Sequence, residues 1–264
     1  MRLLTIIGMT LAILILPLAA SAETDFEIAV GAWYVQPDGD LTYTTNGAGT
    51  ALDLEDRFGF DSEWEPMIRA KIEPAGLMGV YLKATPMGFD STEDSSFEFA
   101  FGDTVFFADD RIDSEFFLNL YDAALYFSTP FIETGATGGI DLDIGVGARV
   151  VHIDTEVERI PVDDDVIETD VLEQNPDETV TYPMVFAALE MQPTEMISVE
   201  VEGWGMAISN DQLYSVSGLL KFLPGGGPFM INAGYRAEFL NIDKSGLALD
   251  ADFYGPFAEV GLRF

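Results

Sequence analysis

The sequence has one histidine, His152, with Asp154 and Thr155 close by. An imidazole near a carboxylate and a hydroxyl is the least that acid–base or nucleophilic hydrolysis requires. No nucleophile motif accompanies it, so His152 reads as a lone interfacial histidine before it reads as a catalytic one. Asp141-Leu142-Asp143 places two carboxylates two residues apart, a pair better read as lining than as an acid–base couple. The run Asp163-Asp164-Asp165 offers hard oxygen ligands to a divalent cation, but the glycine and terminal glutamate of a calcium loop are missing. No cysteine is present, which excludes disulfides, thiolate metal sites and a cysteine nucleophile. Phosphate loops, zinc spacings and dinucleotide fingerprints are also absent, so no cofactor is expected. With 12 Lys and Arg against 46 Asp and Glu, nucleic acid is excluded as a partner.

The elements that must carry these residues follow from a conflict in composition. The chain is 48% hydrophobic and yet carries a net charge of −34, so oil and acid must be separated in space. Residues 1–22 have the form of a secretory signal. Arg2 precedes an apolar run, and Ala20-Ser21-Ala22 forms a small-residue cleavage site. No later stretch approaches the roughly 20 apolar residues of a spanning helix. Period-two alternation fills the rest, residues 23–264. Ile140, Leu142, Ile144, Val146, Ala148 and Val150 alternate with Asp141, Asp143, Gly145, Gly147 and Arg149. Phe229, Ile231, Ala233, Tyr235, Ala237 and Phe239 alternate with Met230, Asn232, Gly234, Arg236 and Glu238. One face suits lipid and the other a narrow lumen, and a sheet in lipid must close on itself.

The fold expected is all-β: an antiparallel up-and-down transmembrane barrel of about ten strands, with eight or twelve also open. The segments lie near 25–36, 66–74, 77–87, 115–128, 139–156, 180–193, 196–209, 212–223, 229–243 and 250–264. Short turns such as Pro74-Ala75-Gly76 alternate with long links near 37–65, 88–114 and 157–179. Residues 97–107 suggest an extra hairpin or an extension of strands above the membrane. Short turns and both termini are expected on the periplasmic side, long loops outside. Phe26, Phe127, Phe222, Phe229 and Phe264 are expected in one aromatic girdle, and Tyr34, Tyr214, Phe239 and Tyr254 in the other. A last strand ending on Phe264 resembles the signal that outer-membrane barrels present to the barrel-assembly machinery.

The charges divide by position. Segments 38–65, 90–115 and 154–178 hold more than half of the acidic residues, with only Arg57, Arg111 and Arg159 as bases. They read as a solvated acidic surface facing lipid and lipopolysaccharide, where divalent cations could relieve the repulsion. Arg69, Lys71, Lys83, Arg149, Lys221 and Arg236 take the lumen parity, as do Glu73, Asp141, Asp143, Glu190, Glu200, Glu202 and Glu238. Two readings stay open for this set: an ion-pair network that fills the bore, or a narrow channel whose charges select solutes. Arg69, Lys71 and Lys83 would repel one another unless Glu200 and Glu202 reach them across the lumen. An outer-rim hydrolase is a distant third, and no enzyme activity is expected.

The stretches VGAWYVQPDGDL (30–41), LDLEDRFGFDSEWEPMIRAKIE (52–73) and GIDLDIGVGARVV (139–151) resemble an uncharacterised, GlyGly-labelled family of proteobacterial outer-membrane β-barrels. The resemblance implies a barrel in the outer membrane and supplies no site residues.

Overall fold

The computed structural model describes residues 24–45, 49–74, 78–133, 139–160 and 173–264. The signal expected at 1–22 and the run Asp163, Asp164 and Asp165 lie outside the described residues. Ten long strands form one antiparallel sheet. They are β1 (Thr24–Tyr43), β2 (Glu63–Pro74), β3 (Met78–Asp94), β4 (Arg111–Glu133), β5 (Gly139–Ile160), β6 (Asp177–Thr194), β7 (Ile197–Ile208), β8 (Asp211–Phe222), β9 (Phe229–Lys244) and β10 (Leu247–Arg263). Each pairs with the next, and β10 returns to β1 with Val260 opposite Val30, closing the barrel. Phe264 exchanges backbone hydrogen bonds with Phe26, so the last residue is sealed into the first strand. Two connections at the long-loop end are tight. Ser245 and Gly246 both adopt positive φ between the paired Lys244 and Leu247, the hairpin geometry that matches strand twist.

Several strands are longer than the alternation suggested. β4 has 23 residues and β5 has 22, whereas about 9–11 suffice to cross hydrocarbon. The extra length changes sides chemically. In β4, Tyr121, Ala123, Leu125 and Phe127 face outward near the short-turn end, with Asp122 inside. Toward the long-loop end the same strand points Asp113 and Glu115 outward and buries Ile112, Phe116 and Leu118. β9 switches in the same way, from Phe239 to Asn241 outside and from Glu238 to Leu240 inside. The barrel therefore has a membrane half with an oily exterior and a charged interior, joined to an outer half built like a water-soluble barrel. A search for one apolar face stops at that switch, which is why β1 runs to Tyr43 and not to 36.

Connecting segments complete the second core. Leu52 and Asp53 pair with β1, and Leu54, Phe58 and Phe60 turn into the barrel mouth. Phe60 stacks on Phe116, and Phe116 on Phe253, with centroids 6.1 and 6.4 Å apart. Residues 99–101 and 104–106 form the extra hairpin, which buries Phe99, Phe101 and Phe106. Loop residues read as a solvated acidic surface thus also supply a hydrophobic stopper.

The girdles hold with one correction. Phe127, Phe222, Phe229 and Phe264 are exposed at the short-turn end, and Tyr34, Tyr214 and Phe239 at the other boundary, where Tyr254 is only half-exposed and Trp64 stands exposed beside Tyr34. Phe26 is buried instead, where it lines the short-turn mouth together with Glu27, Glu73 and Arg263. The two halves should respond differently to cavities. Phe116→Ala, in the outer core, is expected to cost about 3–5 kcal/mol. Leu125→Ala, on the lipid face of the same strand, should cost much less because lipid refills the space. Urea unfolding from lipid vesicles measures both, and equal losses would contradict the switch in β4.

Candidate functional site

Inside the membrane half, side chains from opposite walls meet. Glu200 on β7 is the centre. One carboxylate oxygen accepts from Arg69 at 3.3 Å, and the other from Lys71 at 2.9 Å and Lys221 at 2.8 Å. Arg69 on β2 also grips Glu259 at 2.9 Å and Glu27 at 3.0 Å. Lys221 reaches Glu27 at 3.2 Å and Glu190 at 3.1 Å, and Lys71 reaches Asp143 at 3.4 Å. Closer to the outer half, Lys83 meets Glu202 at 2.8 Å. Arg149 holds Asp122 through two bonds, at 2.6 and 3.0 Å, and donates to Glu238 at 2.6 Å. Arg236 donates to the same Glu238 and to Thr85, with its guanidinium 4.7 Å from the Trp33 ring.

Burial sets what these contacts must achieve. Within the lumen, six buried cations face seven buried carboxylates, so the interior is nearly neutral in a chain of net charge −34. A charge cut off from water costs several kcal/mol unless a partner and hydrogen bonds replace its hydration. The network supplies both: Ser215 donates to Glu238, Asn232 to Glu259 and Trp204 to Glu202. Small residues make room. A Cβ on Gly79 would lie 2.3 Å from the Tyr126 ring, so only glycine lets that ring lie across the wall. Above the charges, Tyr81, Phe186 and Trp204 stack with centroids 4.7–5.6 Å apart, and Lys83 lies 5.4 Å from the Trp204 ring.

The comparisons with known proteins concern the barrel alone. No protein-family model and no curated protein matches the chain. Among solved structures it is similar to the outer membrane protease OmpT from Escherichia coli, with TM-score 0.49 and 10% identity over 93% of this chain and 99% of that one. It is also similar to Ail, the attachment invasion locus protein of Yersinia pestis, with TM-score 0.36 and 14% identity over 92% and 99%. The outer membrane protein OprG from Pseudomonas aeruginosa gives TM-score 0.29 and 12% identity over 92% and 96%. At these values no residue role transfers, and the architecture rests on the strand pairing described above.

The residues singled out by parity are placed as follows. Arg69, Lys71, Lys83, Asp143, Arg149, Glu200, Glu202, Lys221, Arg236 and Glu238 are buried in the lumen. Glu190 and Glu73 sit half-buried near the mouth, where Ser198 donates to Glu190 and Tyr126 to Glu73. Asp141 stays exposed at the mouth and joins no ion pair among the described residues. Four members were missed: Glu27, Asp122, Glu259 and the half-buried Arg263, which meets Glu190 at 3.2 Å. Their parity was readable, since Glu27 lies between Phe26 and Ile28, and Glu259 between Ala258 and Val260. His152 faces outward, its Nδ1 2.9 Å from the Thr179 hydroxyl and 3.3 Å from Asp177.

Outside the outer half, carboxylates face carboxylates. Asp38 pairs with Asp252, Asp40 with Asp250, and Asp113 with Glu158. Burial, then the facing Asp38 and the same-strand Asp250, push the Asp252 carboxyl above its usual range. Among the described residues no three acidic or histidine groups come close enough to hold a metal ion. Inner and outer carboxylates should therefore behave in opposite ways. Glu200→Gln leaves three cations short of charge and is expected to destabilise by about 3–5 kcal/mol. Asp252→Asn removes a like-charge pair and should stabilise by up to about 1 kcal/mol at low salt, fading at high salt. Urea midpoints at two ionic strengths read both.

Proposed function

We propose that the chain is a non-conducting, integral outer-membrane barrel of structural or interaction type, matured after Ala22. In this reading both termini and the short turns face the periplasm, and the acidic outer half stands in the medium. One observation carries it: the bore is filled along its length, by the ion-pair network in the membrane half and by the aromatic core and loops in the outer half. The mouth at the short-turn end opens into a cavity of about 260 Å³ that ends on Lys71 and Glu27, inside the network.

The outward carboxylate pairs support a surface that meets anionic lipopolysaccharide through divalent cations, since each pair repels itself unless a cation shields it. The exposed Phe264, at the end of a strand locked to β1, supports recognition by the barrel-assembly machinery during insertion. The family assignment that the stretches 30–41, 52–73 and 139–151 suggest belongs to the same proposal. We assign no cofactor and no catalytic role. Among the described residues the partners of His152 are two surface side chains, the Thr179 hydroxyl and the Asp177 carboxylate.

Reconstitution in a planar bilayer tests the reading. The parent protein should be electrically silent. Arg236→Met, which leaves Glu238 with Arg149 as its one direct ion-pair partner among the described residues, should leak and unfold at lower urea. A parent that conducts steadily, with only its ion selectivity changed by Arg236→Met, would replace the closed barrel with a channel.

A further inference from the structure

The wall of the barrel is not hydrogen-bonded evenly. Between β2 and β3 the ladder runs from Ile72 opposite Val80 to Ile68 opposite Ala84 and stops there. Both strands continue on their other sides. β2 stays paired with β1 up to Glu63 opposite Val35, and β3 with β4 up to Asp94 opposite Arg111. Continued by two residues, the β2–β3 register sets Pro66 opposite Pro86. Proline has no N–H to donate, and within sheets it belongs to edges. Pairing with β1 passes through Pro66 and pairing with β4 through Pro86, so in each residue the side that lacks a donor faces the seam. Two edges therefore face each other inside a closed wall.

What crosses the gap is a side chain. The Gly88 N–H donates to the Glu65 carboxylate at 2.9 Å, in place of a backbone carbonyl of β2. The gap begins just inside the boundary where Tyr34 and Trp64 pack with centroids 5.2 Å apart, and hydrocarbon there offers the backbone no partner. Behind the gap stand Met67, Thr85 and Met87, all buried. Methionine is unbranched and repacks readily. A separate feature meets the seam from the lipid side. Ile28, Ile68, Ala70, Leu82, Ala84 and Val150 line an apolar groove of about 330 Å³ on the outer face of the wall. Ile68 and Ala84 are also the last pair before the gap, so the groove ends where the seam opens. Its lining suits a hydrocarbon chain, and its place in the lipid-facing belt supplies one.

We propose that the wall opens sideways at this seam, with β2 and β3 parting beyond Ile68 and Ala84 to admit a lipid acyl chain from the groove to the methionines behind. The Glu65–Gly88 bond is the latch. The opening leads into the wall and not along the bore, so it does not depend on whether the barrel conducts.

The chain has no cysteine, so a single introduced thiol reports alone. Met67→Cys is compared with Leu240→Cys, a comparably buried site on β9 that is paired on both sides. Both variants of the full chain are reacted in phospholipid nanodiscs with N-ethylmaleimide and with a maleimide borne on an acyl chain. Only barrels with heat-sensitive electrophoretic mobility are counted. Met67→Cys should react about tenfold faster than Leu240→Cys with both reagents. Adding Pro66→Val and Pro86→Val, which restores both donors, should bring it down to the Leu240→Cys rate. Adding Glu65→Ala instead, which removes the latch, should raise it about threefold and leave Leu240→Cys unchanged. Equal rates at the two sites, or a Met67→Cys rate that ignores the valines, would overturn the proposal. So would reaction with N-ethylmaleimide alone, since the gap would then be too narrow for a chain. Should the valine variant fail to fold, a Met67→Cys rate unmoved by Glu65→Ala would overturn it as well.

Discussion

A carboxylate in the bore of a ten-stranded barrel has no bulk water to retreat to and no lipid that will accept it. Glu200 shows how the protein meets this constraint. It receives Arg69 and Lys71 from β2 and Lys221 from β8, so one side chain ties walls that the sequence separates by more than a hundred residues. The other lumen carboxylates repeat the solution, with Asp122 under Arg149 and Glu202 under Lys83. Because each ion has several partners, no single contact decides the arrangement. Removing any member leaves the others partly uncompensated in a medium where that is expensive. The basic residues are few, and the lumen uses them where they are indispensable. The acid that remains is left to water.

That allocation explains why the strands outlast the membrane. Above the girdle of Tyr34, Trp64, Tyr214 and Phe239 the solvent outside changes from lipid to water, and the outward residues change from Ala, Val and Phe to Asp and Glu. An interior of ions would then gain nothing from an oily wall, and the inward residues become Leu240, Ile242, Leu249 and Phe253. The hydrophobic effect works outward in one half and inward in the other along the same continuous strands. The loops between β1 and β2 and between β3 and β4 fill the open top with Phe58, Phe60, Phe99, Phe101 and Phe106, so their acid and their aromatics do separate jobs.

Much of this was legible in the sequence. The alternation in 140–150 and 229–239, the Pro and Gly turns and the lumen parity of the bases rest on the period of a strand, which needs no tertiary information. The length of β1 and β4 was not legible, because a pattern that exchanges its apolar face midway looks like a strand that has ended. Phe26 shared the parity of the girdle but lies at the short-turn mouth, where the neighbouring side chains of the rim decide exposure. Glu27, Asp122 and Glu259 were open to the parity argument, whereas their pairing with Arg69 and Arg149 depends on which strands face each other across the closed ring. The inward course of Phe58 and Phe60 was hidden by the acid around them.

The claim on which the rest depends is that lumen ions are buried and mutually compensating. The most direct measurement is a double-mutant cycle on Lys83 and Glu202, which lie 2.8 Å apart on facing walls. Unfolding free energies would be taken for Lys83→Met, Glu202→Met and the double variant, all in the same lipid. Each single variant should lose about 3–5 kcal/mol, and the double variant should be no worse than either, giving a coupling of several kcal/mol. Additive losses, with a coupling near zero, would mean that water reaches both ions and would contradict the account.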